Sequence, residues 1–150
     1  MCGIVGIIGR QPAAPVLLEG LARLEYRGYD SAGLAVIGRS GLRVHKAAGR
    51  VSEVAASLPK RFGGTVGIGH TRWATHGEPT DGNAHPHVAG SIAIVHNGII
   101  ENADALRATL PAGVPLTSET DTEVLAHLIA AQEADDLDEK VRLALHQVEG

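Results

Sequence analysis

Cysteine is almost absent from this sequence. Cys2 is the only one in 150 residues, which excludes an intramolecular disulfide. Aromatic residues amount to 3%, so the core has to be aliphatic. No stretch is long and apolar enough to span a bilayer as a helix. The N-terminus also lacks the basic leader of a signal peptide, because its apolar run closes at Arg10 after a few residues. Thirteen Lys and Arg stand against 17 Asp and Glu, and the basic residues are scattered. That distribution predicts neither a nucleic-acid partner nor a membrane partner. No G-x-G-x-x-G follows a strand and there is no Walker loop, so nucleotide binding has no support. Repeats, low-complexity segments and linkers are absent too. The expected product is one cytoplasmic globular domain without a cofactor.

What is present is a chain with 44% hydrophobic and 20% charged residues, enough for one continuous core. Nineteen glycines predict many glycine-assisted turns. Ile4 to Ile8 reads as a buried strand. Leu17, Leu18, Leu21 and Leu24 recur at helical spacing after Pro15, and that helix should stop near Gly28. Ser31 to Ile37 and Leu42 to Ala47 read as a hairpin joined by Gly38-Arg39-Ser40-Gly41. Val51 to Leu58 is a short helix ended by Pro59, and Thr65 to Ile68 is a strand running into His70-Thr71-Arg72-Trp73. Residues 74–87 read as a loop too polar to be core. Ser91 to His96 is a strand ending at Asn97-Gly98. Three helices follow, over Glu101 to Leu110, Thr120 to about Ala134, and Leu137 to Val148, the second opened by a capping box at Thr120 to Glu123. Grouped strands and helices favour an α+β fold with antiparallel sheet over a doubly wound parallel one.

Cys2 is the residue with the most chemistry to offer. Once Met1 is removed, one residue carries a thiol, with an ordinary pKa of about 8.5, and an α-amine near 7.7–8.0 that can accept the thiol proton. With Met1 attached the same nitrogen is an amide and cannot act as a base. The competing reading is a small buried hydrophobe at the head of a strand. Asn97-Gly98 likewise reads either as a hairpin turn or as two neutral hydrogen-bond donors at a sheet rim. The histidines, eight in all, invite a metal site, but there is no His-Glu-x-x-His and no recognisable ligand set, so none is expected.

Six blocks occur in order along the chain: Met1 to Ile4, Tyr26 to Gly33, His70 to Gly77, Asn83 to His87, His96 to Asn102 and Ser118 to Glu123. Together they resemble the glutaminase domain of class II glutamine amidotransferases. The Tyr26-to-Gly33 and Arg72-to-Gly77 blocks favour the members that aminate a sugar phosphate over amidophosphoribosyltransferase or asparagine synthetase. The resemblance implies an N-terminal nucleophile hydrolase fold, an αββα sandwich with antiparallel sheets, expected to be incomplete at its C-terminal side. It implies hydrolysis of L-glutamine, with Cys2 as nucleophile and with Asn97 and Gly98 as oxyanion donors. It implies Arg72 and Asp121 as the partners of the substrate's carboxylate and ammonium. Trp73, Thr75, His76 and Gly77 belong by resemblance to a loop that closes over substrate. Arg27 is assigned an orienting role, and His85 a role in coupling to a sugar-phosphate isomerase domain that binds fructose 6-phosphate. An open sheet edge would favour association, with a homodimer as the simplest assembly. The alternative from a different class is an amino-acid-binding module with an idle Cys2.

Overall fold

Alternating small and β-branched residues build the first sheet of the computed structural model, which describes residues 1–74 and 77–150. Strands β1 (Gly3–Ile8), β2 (Ser31–Gly38), β3 (Gly41–Ala48) and β4 (Val66–Arg72) pair antiparallel in the order β1-β4-β2-β3. The β2–β3 hairpin closes as expected, with Gly38 opposite Gly41 and Arg39-Ser40 between them. Gly41 sits at φ +87, where a side chain would be strained.

Period-two alternation gives this sheet two different faces. Ala32, Leu34 and Val36 of β2 point at α1 (Ala13–Leu24) and α2 (Val51–Ser57) and join Leu17, Leu21, Val51 and Val54 in one apolar cluster. Gly67 and Gly69 of β4 share that face. A Cβ at either would lie 2.9 Å from Leu17 Cδ1 or Leu21 Cδ1 respectively, so their missing side chains set how closely α1 approaches. Burying each leucine is worth roughly 1.5–3 kcal/mol. After α1 a short 3₁₀ turn, Glu25–Arg27, ends at Gly28, at φ 109, where the sequence predicts a stop.

The second layer is made of β5 (His87–Ala89) and β6 (Ile92–Ile94), an antiparallel pair backed by α4 (Asp121–Ala130). With α3 (Ala103–Thr109) and α5 (Leu137–Leu145) this layer has its own core of Ile100, Leu106, Val124, Leu125, Leu128, Ile129 and Ala144. Strand β5 starts at His87, the last residue of the stretch expected to be loop, and β6 is shorter than the strand expected over 91–96. A three-residue strand after a proline is too short to show a period. The capping box expected at Thr120 is half formed. Thr120 Oγ1 accepts from the Glu123 N–H at 3.4 Å, but the Glu123 carboxylate turns to Thr117 and Ser118, accepting from both backbone N–H groups and both hydroxyls at 2.7–2.8 Å. Those bonds hold its pKa below the ordinary carboxylate value against the opposing effect of burial.

The expectation that residues 74–87 are too polar to be core is corrected by the structure. Asn83, Ala84, His85, Pro86 and His87 are all buried. They can be, because their polar atoms are paired. Lys46 Nζ of β3 donates to the carbonyls of Gly82 and Ala84 at 3.0 and 2.7 Å, and Asn83 bonds Glu78 and Glu119. His70 of β4 stacks on His85 with ring centroids 4.2 Å apart, His85 meets His87 edge-on at 4.6 Å, and His87 Nε2 faces Thr120 Oγ1 at 2.9 Å. A Cβ at Gly33 would lie 2.3 Å from the His85 carbonyl oxygen, so β2 lets this segment lie directly against the sheet. The histidine stack is thus the joint between the two layers.

Burial disfavours the charged form of each ring. His70 is lowered to about 4 and His87 to about 3, and His85 is lowered further, by burial first and then by its two histidine neighbours. Unfolding returns all three to about 6.5, so between pH 6.5 and about 4 the unfolded chain binds more protons and stability falls as pH falls. Urea denaturation at pH 7 and pH 5 should give a lower midpoint at pH 5, with the unfolding free energy reduced by up to about 2 kcal/mol for each such imidazole. A midpoint unchanged over that range would contradict the neutral stack.

Candidate active site

Antiparallel pairing of β1 with β4, with Gly3 opposite Thr71, brings Cys2 beside the exit of β4. There the Trp73 backbone N–H donates to Cys2 Sγ at 3.2 Å. Cys2 is half-buried, not the fully enclosed small residue that the structural reading of the sequence would require. The α-ammonium of Met1 donates to the Arg27 carbonyl at 2.9 Å, and Arg27 Nη2 lies 3.6 Å from Met1 Sδ. Arg27 therefore lies at the N-terminus, where an orienting role was expected.

Asn97 and Gly98 follow β6 and arrive at the same place from the second layer. Asn97 Nδ2 lies 3.4 Å from the Cys2 carbonyl oxygen, and Asn97 Oδ1 lies 2.8 Å from His70 Nε2. A Cβ at Gly98 would come within 2.7 Å of His96 Nε2, the tip of a side chain that would have to move aside. The segment is tied to the start of α4, where Asp121 Oδ2 accepts from the Ile100 N–H at 2.8 Å.

Arg72 is buried at the end of β4. Its guanidinium stands 3.8 Å from Asp30 and donates to the Glu78 carbonyl at 3.2 Å. Gly77, at φ +77, brings the following loop close, since a Cβ there would lie 3.3 Å from Arg72 Nη2. Asp30 also accepts from the Ser31 hydroxyl at 2.8 Å and from the Ala74 N–H, which fastens the base of the loop after β4. The Trp73 side chain is half exposed and lies against Gly28, where a Cβ would meet the ring at 2.1 Å.

Cys2, Arg72, Trp73, Gly98, Asp121 and His85 line one cavity of about 250 Å³. That is smaller than the roughly 300–1,000 Å³ of pockets for drug-sized ligands, a size that suits a small molecule. A thiol, a buried cation and a carboxylate around one small space suit a zwitterion with a reactive group at its far end. His85 is buried beneath His70 and borders this cavity. Thr75 and His76, expected in the closing loop, lie outside the described residues. Among the described residues no group of three His, Cys, Asp or Glu is arranged to hold a metal ion.

Four residues at or around this site carry no role in the sequence reading: His70, Asp30, Asn83 and Glu119. Asn83 Nδ2 reaches both the Glu78 carbonyl and Glu119 Oε2 at 3.1 Å, while its Oδ1 accepts from the Glu119 N–H at 2.9 Å. For His70 a signal existed. In a strand, residues two apart share a face, so a role for Arg72 at the site already implied that His70 faces the same layer.

A family model described as a glutamine amidotransferase domain matches residues 70–150. The isomerizing glutamine–fructose-6-phosphate aminotransferase of Mycolicibacterium smegmatis is 52% identical over 166 residues, covering 100% of this chain and 26% of that protein. The protein of the same name from Thermus thermophilus is 56% identical over 154 residues, with the same 100% and 26% coverage. The chain thus spans about a quarter of the length of these curated relatives. Among solved structures, the glutamine phosphoribosylpyrophosphate amidotransferase from B. subtilis, complexed with ADP and GMP, is similar at a TM-score of 0.83 and 30% identity, covering 100% of this chain and 33% of that one. These likenesses bear out the N-terminal nucleophile hydrolase fold expected from the sequence. With residues 70–150 inside the family model and the whole length aligned to such relatives, this chain belongs to the glutamine amidotransferase domain family.

Proposed function

We propose that the chain hydrolyses the side-chain amide of L-glutamine, and that in the whole protein the ammonia is used to aminate fructose 6-phosphate on a sugar-phosphate isomerase domain. The observation that carries the reading is the meeting of the only cysteine with Arg72, Asp121 and Gly98 around one small cavity. More than 50% identity to aminotransferases of that name supports the acceptor. A cytoplasmic site of action and a homodimeric assembly go with the same reading.

The chemistry runs in two halves. With Met1 removed, the α-amine of Cys2 takes the thiol proton and Sγ bonds to the amide carbon of glutamine. The resulting oxyanion is met by the Asn97 side-chain amide and the Gly98 N–H. Collapse breaks the C–N bond, the ammonium of Cys2 returns its proton to the leaving nitrogen, and ammonia departs. Water then adds to the thioester, the C–S bond breaks, and glutamate leaves. Arg72 offers a planar fork to the substrate α-carboxylate and Asp121 a counter-charge to its ammonium. Trp73 shields the cavity, and Gly77 brings the chain after β4 close to Arg72.

Removing the thiol is the direct test. Cys2→Ala should abolish glutamate release from glutamine while leaving the unfolding free energy within about 1 kcal/mol of wild type, and an equal rate would refute the nucleophile. N-terminal mass spectrometry coupled to the same assay should find activity only in the species that begins at Cys2. Activity in the species that keeps Met1 would show that the base lies elsewhere. Arg72→Lys keeps the charge but loses the fork, so KM for glutamine should rise about 10-fold or more with a smaller change in kcat. An unchanged KM would remove Arg72 from the binding site.

A further inference from the structure

We propose that His70 is a positioning residue of the oxyanion hole: its Nε2–H holds the Asn97 side-chain amide in the one orientation that presents Nδ2, and not the carbonyl oxygen, to the substrate. The inference rests on the glutaminase reading and adds to it a residue that never touches the reacting atoms.

The terminal torsion of asparagine is broad and roughly two-fold, and Asn97 lies on an exposed segment beyond β6. Turned by half a rotation, its amide would offer an oxygen to a developing oxyanion and repel it. Two contacts decide between the orientations, and they agree. Nδ2 lies 3.4 Å from the Cys2 carbonyl, which can only accept. Oδ1 lies 2.8 Å from His70 Nε2, so that nitrogen must carry a hydrogen. The flipped amide would set oxygen against oxygen at Cys2.

The imidazole is well placed for such a task. It is 1% exposed on β4, paired with Ile4 and Gly33, and it is stacked on His85. Burial keeps it neutral, with its pKa lowered to about 4, so it holds one donor hydrogen across the neutral range. The His96 backbone also acts on the ring, so it is the contact with Asn97 Oδ1 that calls for the proton on Nε2. The geometry makes Asn97 a donor fixed before substrate arrives, and preorganisation of this kind is what gives an oxyanion hole its effect.

The test uses kcat, KM and the free protein's NMR spectrum. Asn97→Ala should lower kcat about 10²- to 10³-fold. His70→Leu should lower kcat at least about 10-fold with KM for glutamine little changed, and should add less than about 2-fold when combined with Asn97→Ala. His70→Gln, whose amide nitrogen reaches the Nε2 position, should recover most of the loss, and the shorter His70→Asn should not. Independent losses in the double variant, or equal rates for Gln and Leu, would overturn the proposal. Without substrate, ¹⁵N NMR should find His70 as the Nε2–H tautomer with a protected proton that Asn97→Ala exposes. An Nδ1–H tautomer would also overturn it. A protein with the Nε2–H signal but no glutamine hydrolysis would sink the glutaminase reading and leave the hydrogen bond standing.

Discussion

The register of β4 between β1 and β2 is the constraint on which the rest depends. With Gly33 opposite His70 and Ser31 opposite Arg72, the even-numbered residues of β4 face the second layer while Gly67, Gly69 and Thr71 face α1. A slip of one residue would exchange the two sets. Arg72 and His70 would then be driven into the leucines of α1, and the glycines that admit those leucines would face the histidines. The same pairing sets Cys2 beside Trp73, so one ladder of backbone hydrogen bonds aligns the thiol, the buried cation and the imidazole that meets Asn97.

The space between the two layers is filled largely with polar groups, which is unusual for a core and costly unless every group finds a partner. Lys46 spends its ammonium on two carbonyls, Asn83 bridges Glu78 and Glu119, and His87 meets the hydroxyl that opens α4. The imidazoles escape the penalty of a buried charge by remaining neutral, and they stack. Bonds of this kind are directional, unlike packed leucines. They hold the segments carrying Asn97, Gly98 and Asp121 at defined distances from the segments carrying Cys2 and Arg72.

Much of this was legible in the chain. The hairpin at Arg39-Ser40, the stop at Gly28 and the start of α4 at Thr120 follow from local chemistry that tertiary packing does not override. The burial of Asn83 to His87 was not legible, because composition alone cannot tell a solvated polar loop from one whose polar atoms are paired inside. The turn of Glu123 toward Thr117 and Ser118 was hidden for a related reason: a carboxylate three residues into a helix can serve its own N-cap or a neighbouring loop with equal ease.

The sequence by itself determined the residue types available for chemistry: one thiol adjacent to a removable methionine, an asparagine–glycine pair after a strand, and ordered blocks that resemble one family. It determined the longer strands and the helices too, since those follow from periods of two and 3.6 read over short windows, whereas β5 is too short to show a period. Only the tertiary structure decided that the two layers meet through His70, His85 and His87, that Asp121 also secures Ile100, and that His70 reaches Asn97. Each of these joins residues far apart in the chain, and such contacts depend on sheet register and layer packing, which leave no periodic trace in the sequence.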